Sequence, residues 1–210
     1  MLAMNSIGLL GNGGQANETE SFFPDLKVEF RAVEVDYLGD GDNLIDISSP
    51  TEEQEQTPIF SAAGAPRLKK KLIDLWSGNN YAKLVSANAD VGSRTEIGVG
   101  TLVASGSVLT TDIKVGEHVL INTGCTVGHD TIIGDYATLA PGVHIGGKAT
   151  IGNGVFVGIG ATIKNGVKIA PGAVIGAGAV VIEDIEEENS VYVGVPAKMV
   201  SKNDGWLDAI

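Results

Sequence analysis

Counted from Val85, every sixth residue is aliphatic: Val85, Val91, Ile97, Val103, Leu109, Val115, Ile121, Val127, Ile133, Leu139, Ile145, Ile151, Val157, Ile163, Ile169, Ile175 and Val181. Seventeen positions follow one another without a gap or a slip, and no chance pattern does this. The residue after each aliphatic is often glycine, as at Gly92, Gly98, Gly116, Gly128, Gly134, Gly146 and Gly152. Four residues after it comes a second small or β-branched position, as at Val119, Cys125, Ala137, Val143, Ala149 and Val155. A strand alternates its faces with period two, so both apolar columns point inward and flank one corner per hexad. Three corners close a coil of eighteen residues, and coils stack through parallel hydrogen bonds about 4.8 Å apart. Seventeen hexads predict just under six coils. An α-helix is excluded, because a period of six rich in glycine and β-branched residues opposes helix formation. With 29 glycines and few aromatic rings, the core is expected to be a regular lattice of small aliphatic side chains.

The first 84 residues read differently. Ser6–Leu10 is an apolar run that ends in Gly11-Asn12-Gly13-Gly14, and Gln15–Phe23 can form a helix. Val28–Asp36 and Pro58–Ala63 are strand candidates, Asp40–Gln56 reads as an acidic loop, and Arg67–Trp76 as a second helix. Strand, glycine turn, helix and strand make half of a doubly wound nucleotide fold. The glycines would let the backbone approach a phosphate at the helix N-terminus; a purely structural turn is the competing explanation. There is room for one mononucleotide half, which favours a nucleotide-sugar over a dinucleotide. The expected domains are 1–84 (Rossmann-like, α/β), 85–185 (parallel β-helix, all-β) and 186–210 (cap and tail).

The formal net charge of −12 argues against nucleic acid as a partner. One cysteine, Cys125, forbids an intrachain disulfide, and no segment has the length and apolarity of a membrane span. No signal peptide is legible, so a cytoplasmic protein is expected.

Three histidines are present. His129 follows Val127 by two residues, at a hexad corner, and is expected to point outward with Asp130 directly after it. Asn122 intrudes into a column otherwise held by small residues. Acyl transfer to an amine or hydroxyl needs a base to take its proton, and neutral imidazole suits that task near pH 7. An adjacent carboxylate can orient the ring and raise its basicity. A solvated turn residue is the bland alternative. His118, His129 and His144 are 11 and 15 residues apart, not multiples of eighteen, so they do not stack as a metal site. Cys125 lies in an inward column and is expected to pack rather than react. The run Glu186-Glu187-Glu188 is expected to be solvated.

Together these features resemble the sialic acid O-acetyltransferases and UDP-amino-sugar N-acetyltransferases, hexapeptide-repeat sugar acyltransferases with a left-handed β-helix. The resemblance rests on LLGNGGQA, AAGAPRLKKKL, INTGCTVGHD and VYVGVPAKMV and spans nearly the whole chain. It implies a homotrimer with active sites between subunits, acetyl-CoA as cosubstrate, a nucleotide-sugar substrate and no metal. It further implies His129 as general base, Asp130 as its partner, Asn122 as a positioner of the acceptor, and Gly147 as an N–H donor to the oxyanion. Gly13, Gly14, Gln15, Asp36 and Gly64 would line the nucleotide-sugar pocket; Thr138, Ile159 and Ala177 would lie along the acetyl-CoA groove. Gln15 stands where the family usually has a histidine, and Thr138 where some members carry a second one. The implied activity is N-acetylation of a nucleotide-linked amino sugar for surface glycan synthesis, with sugar O-acetylation or a non-catalytic assembly scaffold as alternatives.

Overall fold

The computed structural model describes residues 5–39, 41 and 43–203. The N-terminal part opens with β1 (Ser6–Leu10), α1 (Gly14–Phe22) and β2 (Lys27–Val33). It continues with β3 (Leu44–Asp46), α2 (Glu52–Gln56), β4 (Ile59–Ser61) and α3 (Pro66–Leu75). The four strands form one parallel sheet in the order β3-β2-β1-β4. Strand order thus runs outward in both directions from β1, which leaves a crevice at the carboxyl ends of β1, β2 and β4, where α/β sheets bind ligands.

One expectation here is corrected. The described part of 40–56 is not a plain loop, since it holds β3 and α2. Leu44 and Ile45 continue the sheet beside Arg31 and Ala32, and Ile47 is buried. Thr51 caps α2 reciprocally with Gln54, and Glu52, Glu53 and Glu55 sit at the positive end of that helix. The acidic composition reflects helix-end chemistry as much as solvation. β2 also stops at Val33, and a 3-10 turn follows at Val35–Tyr37.

From Leu84 the chain becomes a stack of coils. Among the described residues, seventeen two-residue strands run from β5 (Leu84–Val85) to β21 (Val180–Val181). They sort into three parallel sheets, and each strand up to β18 (Thr162–Ile163) pairs with the one eighteen residues on, as Thr126 does with His144 and Ile132 with Thr150. From Val103 to Val181 every residue of the aliphatic column is at most 5% exposed. Val85, at the open end of the first coil, is 41% exposed because no coil lies beneath it. At the other end β22 (Ser190–Val193) joins the longest sheet in parallel with β20 (Val174–Ile175), and β23 (Lys198–Lys202) folds back antiparallel. The end of the expected tail, residues 204–210, lies outside the described residues. Glu186, Glu187 and Glu188 are exposed.

The two parts are joined by an apolar seam. Leu84, Leu102 and Leu120 point out of one β-helix sheet on successive rungs, yet each is at most 2% exposed. They pack against Ile7, Leu9, Ala16 and Phe60 of the N-terminal part. Burying such side chains gives about 1.5–3 kcal/mol each. The crevice is thereby seated against these rungs of the coil stack.

Candidate active site

The first corner of interest follows β12 (Thr126–Val127). His129 and Asp130 project from it into solvent, with 58% and 53% of their side chains exposed. Nδ1 of His129 donates to Oδ2 of Asp130 at 2.7 Å. A carboxylate on Nδ1 assigns the proton there and leaves the lone pair on Nε2, the form a general base needs. Asp130 takes a left-handed backbone conformation (φ 59°), which aspartate tolerates better than most residues, and this turns its carboxylate toward the ring. One coil below, Asp112 is clasped by the Arg94 guanidinium at 2.6 and 2.7 Å. That contact holds the Asp112 carboxyl below the usual range, so this second carboxylate is already satisfied.

Gly147 sits on the next coil directly beside the ring: a Cβ there would lie 2.7 Å from His129 Nε2. The structure therefore brings His129, Asp130 and Gly147 together.

Asn122 is elsewhere. It follows β11 (Leu120–Ile121), at the preceding corner of the same coil, and is only 7% exposed. Its Oδ1 accepts from the Thr123 N–H at 2.7 Å. The polar side chain that interrupts the small-residue column thus folds onto its own turn. Ile159 and Ala177 lie on that same corner in successive coils, tied by the Gly178 N–H donating to the Ile159 carbonyl. Both are exposed, Ile159 at 61%.

Thr138 departs from its expected place. It is 2% exposed, under the N-terminal part, and its hydroxyl accepts from Lys69 Nζ at 3.1 Å. It cannot line an open groove, because α3 covers it. The hexad pattern says which way Thr138 points but not what lies over it.

A cleft of ≈ 620 Å³ opens at the carboxyl ends of β1, β2 and β4. Gly13, Gly14, Gln15 and Gly64 line it as expected, together with Glu34, Tyr37, Leu68, Lys71 and Leu72. Added Cβ atoms on Gly13 or Gly14 would meet open space, so both glycines face the cleft rather than a packed neighbour. Gly13 caps α1 without a side-chain bond, which leaves that helix end free to meet an anion. Nε2 of Gln15 is buried and has no hydrogen-bond partner.

Asp36 is the correction in this set. It is exposed on the 3-10 turn and is not part of the lining; Glu34 takes its place, with Oε1 and Oε2 accepting from Lys71 Nζ at 2.7 and 2.8 Å. The signal was in the chain: Glu34 follows the last residue of β2 about 20 residues past the glycine turn, where doubly wound folds carry their ribose-binding acid.

The other histidines are engaged separately. His118 is buried between Tyr81, edge-on at 4.6 Å, and Tyr136, stacked at 5.3 Å. His144 shares a 2.8 Å hydrogen bond with Thr126. Among the described residues no three histidine, cysteine or acidic side chains gather as a metal site. Cys125 is fully buried, with Sγ directed at the Ala140 carbonyl, and burial pushes its thiol up to about 11. No helix among the described residues is long and apolar enough to cross a membrane.

Comparison with known proteins places this geometry in context. Residues 112–147 and 148–183 match the family model described as bacterial transferase hexapeptide (six repeats). PerB from Caulobacter crescentus, solved in complex with CoA and GDP-perosamine, is 27% identical with a TM-score of 0.83; the likeness covers 96% of this chain and 100% of that one. WeeI from Acinetobacter baumannii AYE is 30% identical with a TM-score of 0.80, over 92% of this chain and 99% of that one. The acetyltransferase domain of PglB from Neisseria gonorrhoeae FA1090, solved with acetyl coenzyme A, shares the fold at 24% identity and a TM-score of 0.79, over 94% and 100% of the two chains. No curated protein sequence matches the chain.

Proposed function

The chain belongs to the hexapeptide-repeat sugar acyltransferases, with their α/β domain and left-handed β-helix, and on that premise we propose that it is an acetyl-CoA-dependent N-acetyltransferase of a nucleotide-linked amino sugar. The observation that carries this reading is the pairing, on one rigid frame, of a glycine-walled cleft with an outward His129–Asp130 dyad whose Nε2 lies against Gly147. PerB, which matches over the full length of its own chain, holds CoA and a GDP-linked amino sugar in its crystals.

The reaction is a direct transfer. The nucleotide end lies in the cleft, with phosphate at the α1 N-terminus and ribose at Glu34. The neutral sugar amine attacks the thioester carbon of acetyl-CoA, and Nε2 of His129 takes the proton released from nitrogen. The oxyanion of the tetrahedral intermediate is met by the backbone N–H of Gly147. Collapse breaks the C–S bond, and the departing thiolate takes a proton to leave as CoA. Asp130 holds the ring and balances the imidazolium.

Asn122, Ile159 and Ala177 share one corner of the coil, and His129 stands on the next. We infer that the two corners serve one site only when neighbouring subunits of a homotrimer supply one each. Such an enzyme would act in the cytoplasm on precursors of surface glycans.

The test is a free-thiol assay with acetyl-CoA and a panel of UDP-, GDP- and dTDP-linked amino sugars and their hydroxyl counterparts. CoA release is expected with at least one amino sugar. Release with hydroxyl acceptors alone would transfer the assignment to O-acetylation; no release with any acceptor would favour a scaffold.

A further inference from the structure

Lys69 is an ionisable side chain inside the protein. It is 2% exposed and lies on α3, whose other flank supplies Leu68, Lys71 and Leu72 to the cleft. Its Nζ donates to Thr138 Oγ1 at 3.1 Å, to the Ala137 carbonyl at 3.2 Å and to the Tyr136 carbonyl at 3.4 Å. No described carboxylate pairs with it. The three acceptors belong to consecutive residues leading into β14 (Thr138–Leu139). Three oxygens on one rung converge on this nitrogen and receive its protons.

Stability alone does not account for this arrangement. Burying an amino group without a counter-charge is costly whether it stays a cation or gives up its proton, and an apolar side chain of similar length would fill the same space more favourably. What an apolar residue lacks is direction. Leu72, Ile73 and Trp76 pack α3 onto the N-terminal part through non-directional contacts that tolerate small slides. Three hydrogen bonds to adjacent residues tolerate neither a slide along the coil stack nor a roll of the helix.

We propose that Lys69 is a positioning residue: by binding Tyr136, Ala137 and Thr138 it fixes the height and rotation of α3, and with them the place from which the cleft presents the sugar amine to the transfer site. This rests on the acetyltransferase reading above. It also gives Thr138 a role at the junction instead of at the cofactor. Misplacing a bound reactant by about 1 Å can cost about 10²-fold in rate, so a loose α3 would cost turnover before it cost the fold.

The experiment uses Lys69→Met, which keeps the stem and removes the donors, and Thr138→Val, which removes one acceptor. In the full-length enzyme, kcat and both KM values are measured with the nucleotide-linked amino sugar and with the same amino sugar lacking its nucleotide. Amide exchange is followed in residues 66–75. The expected result for Lys69→Met is an unchanged acetyl-CoA KM and at least a tenfold loss of kcat/KM for the nucleotide-linked acceptor. The slow reaction of the free sugar stays the same, and α3 exchanges faster. Thr138→Val moves the same way by a smaller factor and decides the matter if Lys69→Met does not fold. Wild-type kcat/KM in either folded variant overturns the proposal, as do equal losses toward both acceptors. If the wild-type enzyme acetylates no amino sugar, the functional reading fails on its own; the positioning claim then stands or falls on α3 exchange and on the affinity for UDP, GDP and dTDP, and unchanged values overturn it.

Discussion

A methyl group on Gly147 would stand 2.7 Å from Nε2 of His129, closer than two such atoms can approach. The imidazole is the exposed and movable partner, so the ring must give way. Gly147→Ala is therefore expected to leave the β-helix and its melting temperature intact while kcat falls about 10- to 100-fold, through a displaced base. A steady-state assay beside a thermal melt checks this; unchanged turnover would separate Gly147 from the reaction.

His129→Ala should cost about 10²–10⁴ in kcat, the usual worth of a positioned base. Asp130→Asn keeps a hydrogen-bonding group but removes the charge opposite the imidazolium, and a smaller loss is expected. Both residues are exposed corner side chains, so circular dichroism and oligomeric state should not change. A His129→Ala enzyme with full activity would leave the dyad a solvated turn.

Glu34→Gln should raise the nucleotide-sugar KM about tenfold, because the ribose loses a charged acceptor, while the acetyl-CoA KM stays put. Asp36→Asn, two residues on and outside the cleft, should do nothing measurable. The reverse pattern would restore Asp36 to the binding set.

Burial, together with the nearby Lys69 ammonium, pushes the His118 imidazole down from 6.5 to about 4. Tyr81, Tyr136, Asp135 and Lys70 are the other ionisable groups around it. As pH falls through 6.5 the unfolded chain takes the proton first, so stability is held above pH 6.5 and is lost toward pH 4. His118→Asn, chosen because asparagine tolerates the positive φ of 54°, should flatten the melting curve over that window even though its plateau is lower. An undiminished acid slope in the variant would rule out His118 as its source.

Lys69 acts at the other end of the scale. Burial pushes its ammonium from 10.5 down to about 7. Between those values the unfolded chain holds a proton that the folded one does not, so stability falls as pH drops from 10.5 to 7. His118, Lys70, Tyr81 and Tyr136 share that environment. Lys69→Met should abolish the slope and melt at or above wild type at pH 7, by several degrees for about 1–2 kcal/mol. A variant that melts lower throughout would show that the three hydrogen bonds outweigh the cost of burial.

The β-helix was legible because its period is strict: a position eighteen residues from another must lie above it. That arithmetic put His129 at an outward corner and Gly147 over it. It could not reveal what the outer faces meet. Thr138, Leu84, Leu102 and Leu120 share one outward column, and only the folded chain discloses that α3 and β1 cover them. Asn122 was hidden for a related reason, since a polar side chain can satisfy itself on the next backbone N–H without reaching outward. In the N-terminal part the apolar runs gave the strands, but the end of β2 depends on sheet pairing rather than pattern.

The eighteen-residue coil also makes the enzyme's geometry discrete. The seam residues Leu102 and Leu120 and the dyad belong to the same stack, so insertions and deletions can change the spacing between cleft and base only in whole coils of about 4.8 Å. A single inserted residue would turn every later side chain to the wrong face, whereas a duplicated or deleted coil would conserve all contacts but one. Acceptors of different length would then be matched by counting coils, and lineages of such enzymes should differ by multiples of eighteen residues rather than by gradual drift.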